Sequence, residues 1–360
     1  MMVRSERSIR VMVVDDSAVM RGLWSRMIEA EPDMSVVASA ANGRAALELL
    51  RHKVVDVVLL DVEMPEMDGL SALPRILEMQ PEARVIMASS LTQAGATVTV
   101  RALSLGAADY IGKPTSGSAV NAVALVGSEL VAKIRALGGG RSAVRTTAPR
   151  TPPPPAAAPH ARPLHAAEAV RLLVIASSTG GPNALSRLFH ALPRDLALPV
   201  LIVQHMPPHF TAVLAERIRR ESGHDCREAE HGEPLLPGRV YMAPGDYHMT
   251  LSGAASEPAL CLDHSEPVNY CRPSADPTLR SAAQLFGTGT LAVVLTGMGE
   301  DGLNGCREVV ARGGRVLVQD EASSVVWGMP GAVVHAGLAS AVLPLEQIAP
   351  QLARLLPVPA

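Results

Sequence analysis

Along this chain, short unbroken apolar runs alternate with longer stretches of helical period. In the first part the runs are IRVMVV at 9–14, MSVVA at 34–38, VDVVLL at 55–60, RVIMA at 84–88 and ADYI at 108–111, each followed by an amphipathic stretch. Such runs fit strands buried on both faces, the environment of a parallel sheet covered by helices. Five strand–helix units in about 130 residues predict a flavodoxin-like (βα)5 domain. Right-handed crossovers then favour the strand order 2-1-3-4-5.

The alternation stops at 138–168, GGGRSAVRTTAPRTPPPPAAAPHARPLHAAE, where seven prolines and a triple glycine come with almost no large apolar residue. Such a segment cannot form a core, and its PPPP run favours extended polyproline II. The expected division is a first domain at 1–137, a linker at 138–168 and a second domain at 169–357. The second domain resumes with RLLVIA and a helix from about 182, then LPVLIVQ (198–204) and a helix from about 209. GRVYMAP and YHMTL mark a β-richer middle. A helix at 276–286, TLAVVLTG (290–297), a helix from 301 and RVLVQ (315–319) follow. This pattern predicts an α/β domain with a mostly parallel, mixed sheet, of unreadable strand order.

Composition narrows the function. Hydrophobic residues make up 48% of the 360 and aromatics only 2%, so the core rests on aliphatic side chains and base-stacking platforms are not expected. The net charge is −3 with no long basic run, which argues against a nucleic-acid partner. The four cysteines, Cys226, Cys261, Cys271 and Cys306, form no CxxC pair and read as free or buried thiols. The N-terminus has no apolar signal core, and no apolar run of about 18 residues occurs. The expected location is the cytoplasm, without membrane insertion.

In an open parallel sheet, chemistry gathers beyond the carboxyl ends of the strands. Asp15 and Asp16 follow the first strand, Asp61 the third, Ser89 the fourth and Lys113 the fifth. In the expected order the first and third strands are neighbours, so three carboxylates converge. A hard cation such as Mg²⁺ would relieve their repulsion, and a lysine and a hydroxyl would suit a phosphoryl group. The stretches "VVDDS", "LLDVEMPEMDG", "ASS" and "GKP" resemble the receiver domain of two-component response regulators. The resemblance implies Asp61 as phosphoacceptor and Asp15 and Asp16, with Asp61, as Mg²⁺ ligands. It also implies Ser89 and Lys113 as switch and phosphate-sensing residues, Tyr110 as the switch aromatic and a cis Lys113–Pro114 bond.

The second domain opens on "ASSTGGPN" at 176–183. Two glycines permit a sharp turn, and Pro182 suits the first turn of a helix. N–H groups at that helix start could face a developing oxyanion. A hydroxyl nucleophile also needs a base and a group to orient the base. His205 ends LPVLIVQ and Asp301 follows TLAVVLTG, so Ser, His and Asp all lie just past strands. Each residue has a plainer reading: the serines as turn or cap residues, His205 as a loop residue, Asp301 as the cap of the following helix. His209, His231, His248 and His264 compete for the base. The residues alone do not choose between Ser177 and Ser178. A nucleotide loop fits poorly, because GxGxxG and a Walker lysine are absent.

"SSTGGP", "VQHMPPHFT", "YCRPSADPTLRSAA" and "LTGMGEDGLNG" resemble the CheB methylesterase family. That resemblance implies Ser178 as nucleophile, His205 as base and Asp301 as the orienting carboxylate, with Thr179 and the Met298 backbone near the oxyanion. It further implies γ-glutamyl methyl-ester hydrolysis on the cytoplasmic helices of chemoreceptors, with glutamine deamidation as a sister reaction. Esterase chemistry would need no cofactor. Phosphorylation of the receiver by a CheA-type histidine kinase would relieve a restriction on the catalytic cleft. Ala176 stands where the family usually has glycine. The rivals are a DNA-binding output, disfavoured by the α/β pattern, and a non-catalytic scaffold in a chemosensory pathway.

Overall fold

The computed structural model describes residues 8–114, 120–139 and 169–357. It divides into two compact units at Thr151/Pro152. The expected linker at 138–168 lies outside the described residues from 140 onward.

In the first unit the strands are β1 (Ile9–Val14), β2 (Met34–Ala40), β3 (Val57–Asp61), β4 (Arg84–Ser89) and β5 (Asp109–Gly112). They form one parallel sheet in the expected order β2-β1-β3-β4-β5. Helices α1 (Ala18–Glu29), α2 (Gly43–Leu50), α3 (Gly69–Met79), α4 (Gln93–Ser104) and α5 (Val120–Gly138) follow the strands in turn. β3 is buried along its whole length, as its unbroken apolar run requires. Ser17, Asn42, Asp68 and Thr92 cap α1 to α4, each accepting a backbone N–H from the first turn. Ser17 therefore does the capping after β1 and leaves Asp16 exposed beside it.

The second unit carries a seven-stranded sheet, β14-β13-β12-β6-β7-β9-β8. Its strands are β6 (Leu172–Ser177), β7 (Val200–Gln204), β8 (Asp225–Glu228), β9 (Arg239–Met242), β12 (Thr290–Val294), β13 (Arg315–Gln319) and β14 (Ala341–Leu343). Every pairing in it is parallel, so the expected mixed sheet is not what forms. The antiparallel strands β10 (His248–Ala254) and β11 (Glu257–Asp263) form a separate hairpin, joined to the segment before β9 by a bridge between Pro234 and Ala259. Thr278 Oγ1 ties the hairpin to helix α8 (Ala275–Phe286) by donating to Met249 O at 2.5 Å.

Helices α6 (Gly181–Ala191), α7 (Phe210–Ser222) and α11 (Leu345–Leu355) pack together, as do α8, α9 (Leu303–Ala311) and α10 (Gly328–His335). On one face of the sheet, Leu172, Val174 and Ala176 of β6 meet Leu279 and Ala283 of α8 and Val309 of α9. Ala176 thus places its methyl in this core. The chain builds outward from β6 through β7 on one side and through β12 on the other. A crevice is expected where the strand order so reverses, at the carboxyl ends of β6 and β12.

Candidate active site

The turn after β6 separates the two serines. Ser177 is wholly buried, and its hydroxyl donates to Gln204 Oε1 at 2.7 Å. Ser178 is half-buried, and its backbone is held from three sides. Its N–H donates to Thr296 O at 3.0 Å, and its carbonyl accepts from Gly181 N at 2.7 Å and Gln204 Nε2 at 3.0 Å. Both glycines of the turn are required by space. A Cβ at Gly181 would lie 2.0 Å from Gln204 Oε1, and Gly180 has φ 77 with Val325 2.6 Å from its would-be Cβ. Gly297 lets the loop after β12 approach, since a Cβ there would sit 2.9 Å from Ser178 Cβ. Met298 follows that contact. Thr179 is buried, and its carbonyl accepts from Thr296 Oγ1 at 2.9 Å.

β7 pairs with β6 so that Gln204 lies opposite Ser177, which sets His205 and Ser178 one residue past adjacent strand ends. His205 Nε2 lies 2.8 Å from Asp301 Oδ2. Asp301 is buried and does not cap α9, whose N-cap Gly302 makes no side-chain bond. It sits instead at the start of α8. Oδ2 accepts from Ala275 N at 2.7 Å, and Oδ1 accepts from Ser274 Oγ at 2.6 Å and Asn269 Nδ2 at 2.7 Å. A carboxylate with this many donors at a helix N-terminus is strongly favoured in its charged form.

The structure therefore joins His205 to Asp301 and sets Ser178 and His205 one residue past neighbouring strands. No hydrogen bond links Ser178 to His205 among the described residues; His205 Nδ1 faces Cys271 Sγ at 3.4 Å instead. The other histidines stand elsewhere. His264 pairs with Asp246 at 2.9 Å, His231 contacts Leu262 O at 3.1 Å, and buried His248 accepts from Ser274 N at 3.2 Å. His209 adopts φ 71 at the start of α7. Asn269, Cys271 and Ser274 escape a reading based on strand ends. Their one signal is the cluster of polar residues just before α8.

At the strand ends of the first unit, ligand atoms of Asp15, Asp16 and Asp61 lie within 4.8 Å of one another. Lys113 Nζ is 2.7 Å from Asp61 Oδ1 and 3.0 Å from Asp15 Oδ2. Asp61 Oδ2 is buried without a hydrogen-bond partner, an acceptor that suits a hard cation. Burial raises the Asp61 pKa above the usual carboxylate value; Lys113 opposes that shift and Asp15 adds to it. Ser89 Oγ is turned toward the start of α4, donating to Ser90 O at 3.2 Å and Gly95 O at 3.3 Å. Tyr110 is buried, and its carbonyl accepts from Lys133 Nζ at 2.7 Å. Among the described residues the cis bond is Arg272–Pro273, not the expected Lys113–Pro114. Lys113 reaches both carboxylates without a cis bond, its own N–H donating to Ser89 O at 2.8 Å.

Comparison with known proteins bears directly on this arrangement. Residues 173–352 match the family model for CheB methylesterase, and residues 11–124 that for the response regulator receiver domain. A Paramagnetospirillum magneticum protein named protein-glutamate methylesterase/protein-glutamine glutaminase 1 is 49% identical, covering 97% of this chain and 96% of its own. The chain belongs to the CheB methylesterase family. A Caulobacter vibrioides relative named protein-glutamate methylesterase/protein-glutamine glutaminase 2 is 52% identical over 96% of this chain and 98% of its own length. The crystal structure of the Thermotoga maritima CheB methylesterase catalytic domain matches at 42% identity with TM-score 0.51, over 52% of this chain and all of that one.

In this CheB family member the site's electrostatics favour an ion pair. Burial lowers the His205 pKa, but Cys271 and Asp301 outweigh it and leave the imidazole above its usual value. Burial works to raise the Asp301 pKa, and the bonds from His205, Ser274 and Ala275 overcome it, so this carboxyl lies below its usual range. Among the described residues no helix is long and apolar enough to cross a membrane.

Proposed function

We propose that this chain hydrolyses γ-glutamyl methyl esters and deamidates glutamines on the cytoplasmic helices of chemoreceptors, under control of phosphorylation at Asp61. The observation that carries the esterase reading is the His205–Asp301 pair, with His205 one residue past β7 beside the strand that carries Ser178. In this reading Ser178 Oγ attacks the ester carbonyl, and His205 Nδ1 takes its proton. Thr179 and the Met298 N–H flank the oxyanion. The proton passes to the leaving oxygen, and methanol departs from the acyl-serine. Water activated by His205 then frees the carboxylate and regenerates the hydroxyl. Asp301 holds Nε2–H, fixing the tautomer and stabilising the imidazolium. With a glutamine, ammonia leaves instead.

The reading assigns residues 1–137 to the receiver, 138–168 to a linker and 169–357 to the esterase domain, acting in the cytoplasm. Asp15, Asp16 and Asp61 would hold Mg²⁺, which when bound supplies positive charge against the phosphoryl oxygens. Asp61 accepts the phosphoryl group from a CheA-type histidine kinase, Lys113 pairs with its oxygens, and Ser89 turns from Gly95 O toward them. Tyr110 is the aromatic that responds to that turn. Adding about two negative charges beside these residues biases the strand-end loops.

The test is methanol release from methylated receptor, with and without a small-molecule phosphodonor and Mg²⁺. Stimulation is expected in the wild type and none in Asp61→Asn; equal stimulation of both would refute control through Asp61. A second expectation concerns pH. The base acts only as neutral imidazole, and His205 is shifted upward, so kcat/KM should fall as pH drops through a midpoint above the ordinary histidine value of about 6.5. A midpoint at or below that value in the pH–rate profile contradicts the ion-paired site.

A further inference from the structure

The imidazole of His205 offers one lone pair to two donors. Nε2 faces Asp301 Oδ2 at 2.8 Å, so the neutral ring keeps its proton there and Nδ1 is the basic nitrogen. Cys271 Sγ stands 3.4 Å from Nδ1. Ser178 must deliver its proton to the same nitrogen. We propose that Cys271 is a positioning residue whose thiol caps the basic nitrogen of His205 in the resting enzyme, and that substrate entry displaces it before Ser178 is deprotonated. This rests on the assignment of Ser178 and His205 given above.

The thiol is not loosely placed. Val268 and Cys271 exchange backbone hydrogen bonds of 3.1 and 2.9 Å, closing a turn in which Asn269 and Tyr270 take φ 52 and φ 63. Asn269 Nδ2 bridges Asp301 Oδ1 at 2.7 Å and Asp276 Oδ2 at 3.0 Å. Arg272, the next residue, is clamped on Asp246 at 2.6 Å and on Ser265 O at 2.8 Å. One turn thus grips the carboxylate through Asn269 and the imidazole through Cys271. A thiol is a weak donor, so it can occupy the nitrogen without blocking a hydroxyl permanently. The titratable groups facing His205 are Asp301 and Cys271, with Asp276 linked through Asn269.

The experiment compares kcat/KM against pH for the full chain and for Cys271→Ala, Cys271→Ser and Ser178→Ala, on the same methylated receptor. Cys271→Ala should raise the high-pH plateau of kcat/KM by about fivefold, the worth of one hydrogen bond, and shift the acid limb. Cys271→Ser keeps a donor in place and should stay at or below wild type. A packing role predicts the reverse order, with serine near wild type and alanine below it. That order overturns the proposal, as does an unchanged alanine variant, an unmoved acid limb or a serine variant that rises with alanine. Hydrolysis by Ser178→Ala near the wild-type rate instead overturns the underlying assignment, so the two failures are told apart.

Discussion

Ser178→Ala is expected to lower methanol release by about 10⁴- to 10⁶-fold, the loss seen when a serine nucleophile is removed from a triad. The neighbouring Ser177→Ala should keep most of the activity. Its hydroxyl is buried and spends its proton on Gln204 Oε1. Removing it leaves a buried acceptor unpaired, at a cost to stability of about 1–3 kcal/mol. Gln204 also supports the Ser178 carbonyl, so a modest fall in rate is expected as well. Methanol release and denaturant unfolding on both variants separate the two roles. Should Ser177→Ala abolish turnover while Ser178→Ala retains it, the nucleophile has been misassigned.

Asp301→Asn should lower kcat by about 10⁴-fold, comparable to the same change in other serine triads. The carboxylate accepts from His205, Ala275, Ser274 and Asn269. An amide turns one of its two oxygens into a donor. Whichever way it lies, that donor faces donors: His205 and Ala275 on one side, or Ser274 and Asn269 on the other. The first orientation forces His205 into the wrong tautomer and loses the Ala275 N–H, and the second loses the bonds from Ser274 and Asn269. The loss should appear in kcat more than in KM, because substrate binding does not use this group. A kcat within tenfold of wild type would show that His205 works without an orienting carboxylate.

Much of the fold was legible because buried parallel strands are unbroken apolar runs. RVLVQ at 315–319 is β13 residue for residue. The same rule misses β8, whose DCRE is a short polar edge strand, and β14, only three residues long. It read a mixed sheet where the antiparallel pair stands as a separate hairpin, because a strand's own sequence does not reveal its partner. Ser178 and His205 read as residues just past strands and do follow β6 and β7, whereas Asp301 lies farther out, in the loop after β12. The choice between the serines was not legible, because the burial of Ser177 depends on Gln204, 27 residues away. Cys271 was illegible for a like reason: it lies in an irregular turn, and its contact with His205 spans 66 residues. Asp301 read equally well as a helix cap, and only the folded chain shows that it serves the start of α8.

The parallel ladder through β12, β6 and β7 has a consequence of its own. Because nucleophile and base each stand one residue past paired rungs of β6 and β7, their spacing is inherited from the backbone mesh. Softening an outlying helix can hasten melting, yet it has no lever by which to spoil the alignment while the mesh survives. For such an enzyme, intact molecules and working molecules are one population, and heat should diminish their number without dulling those that remain.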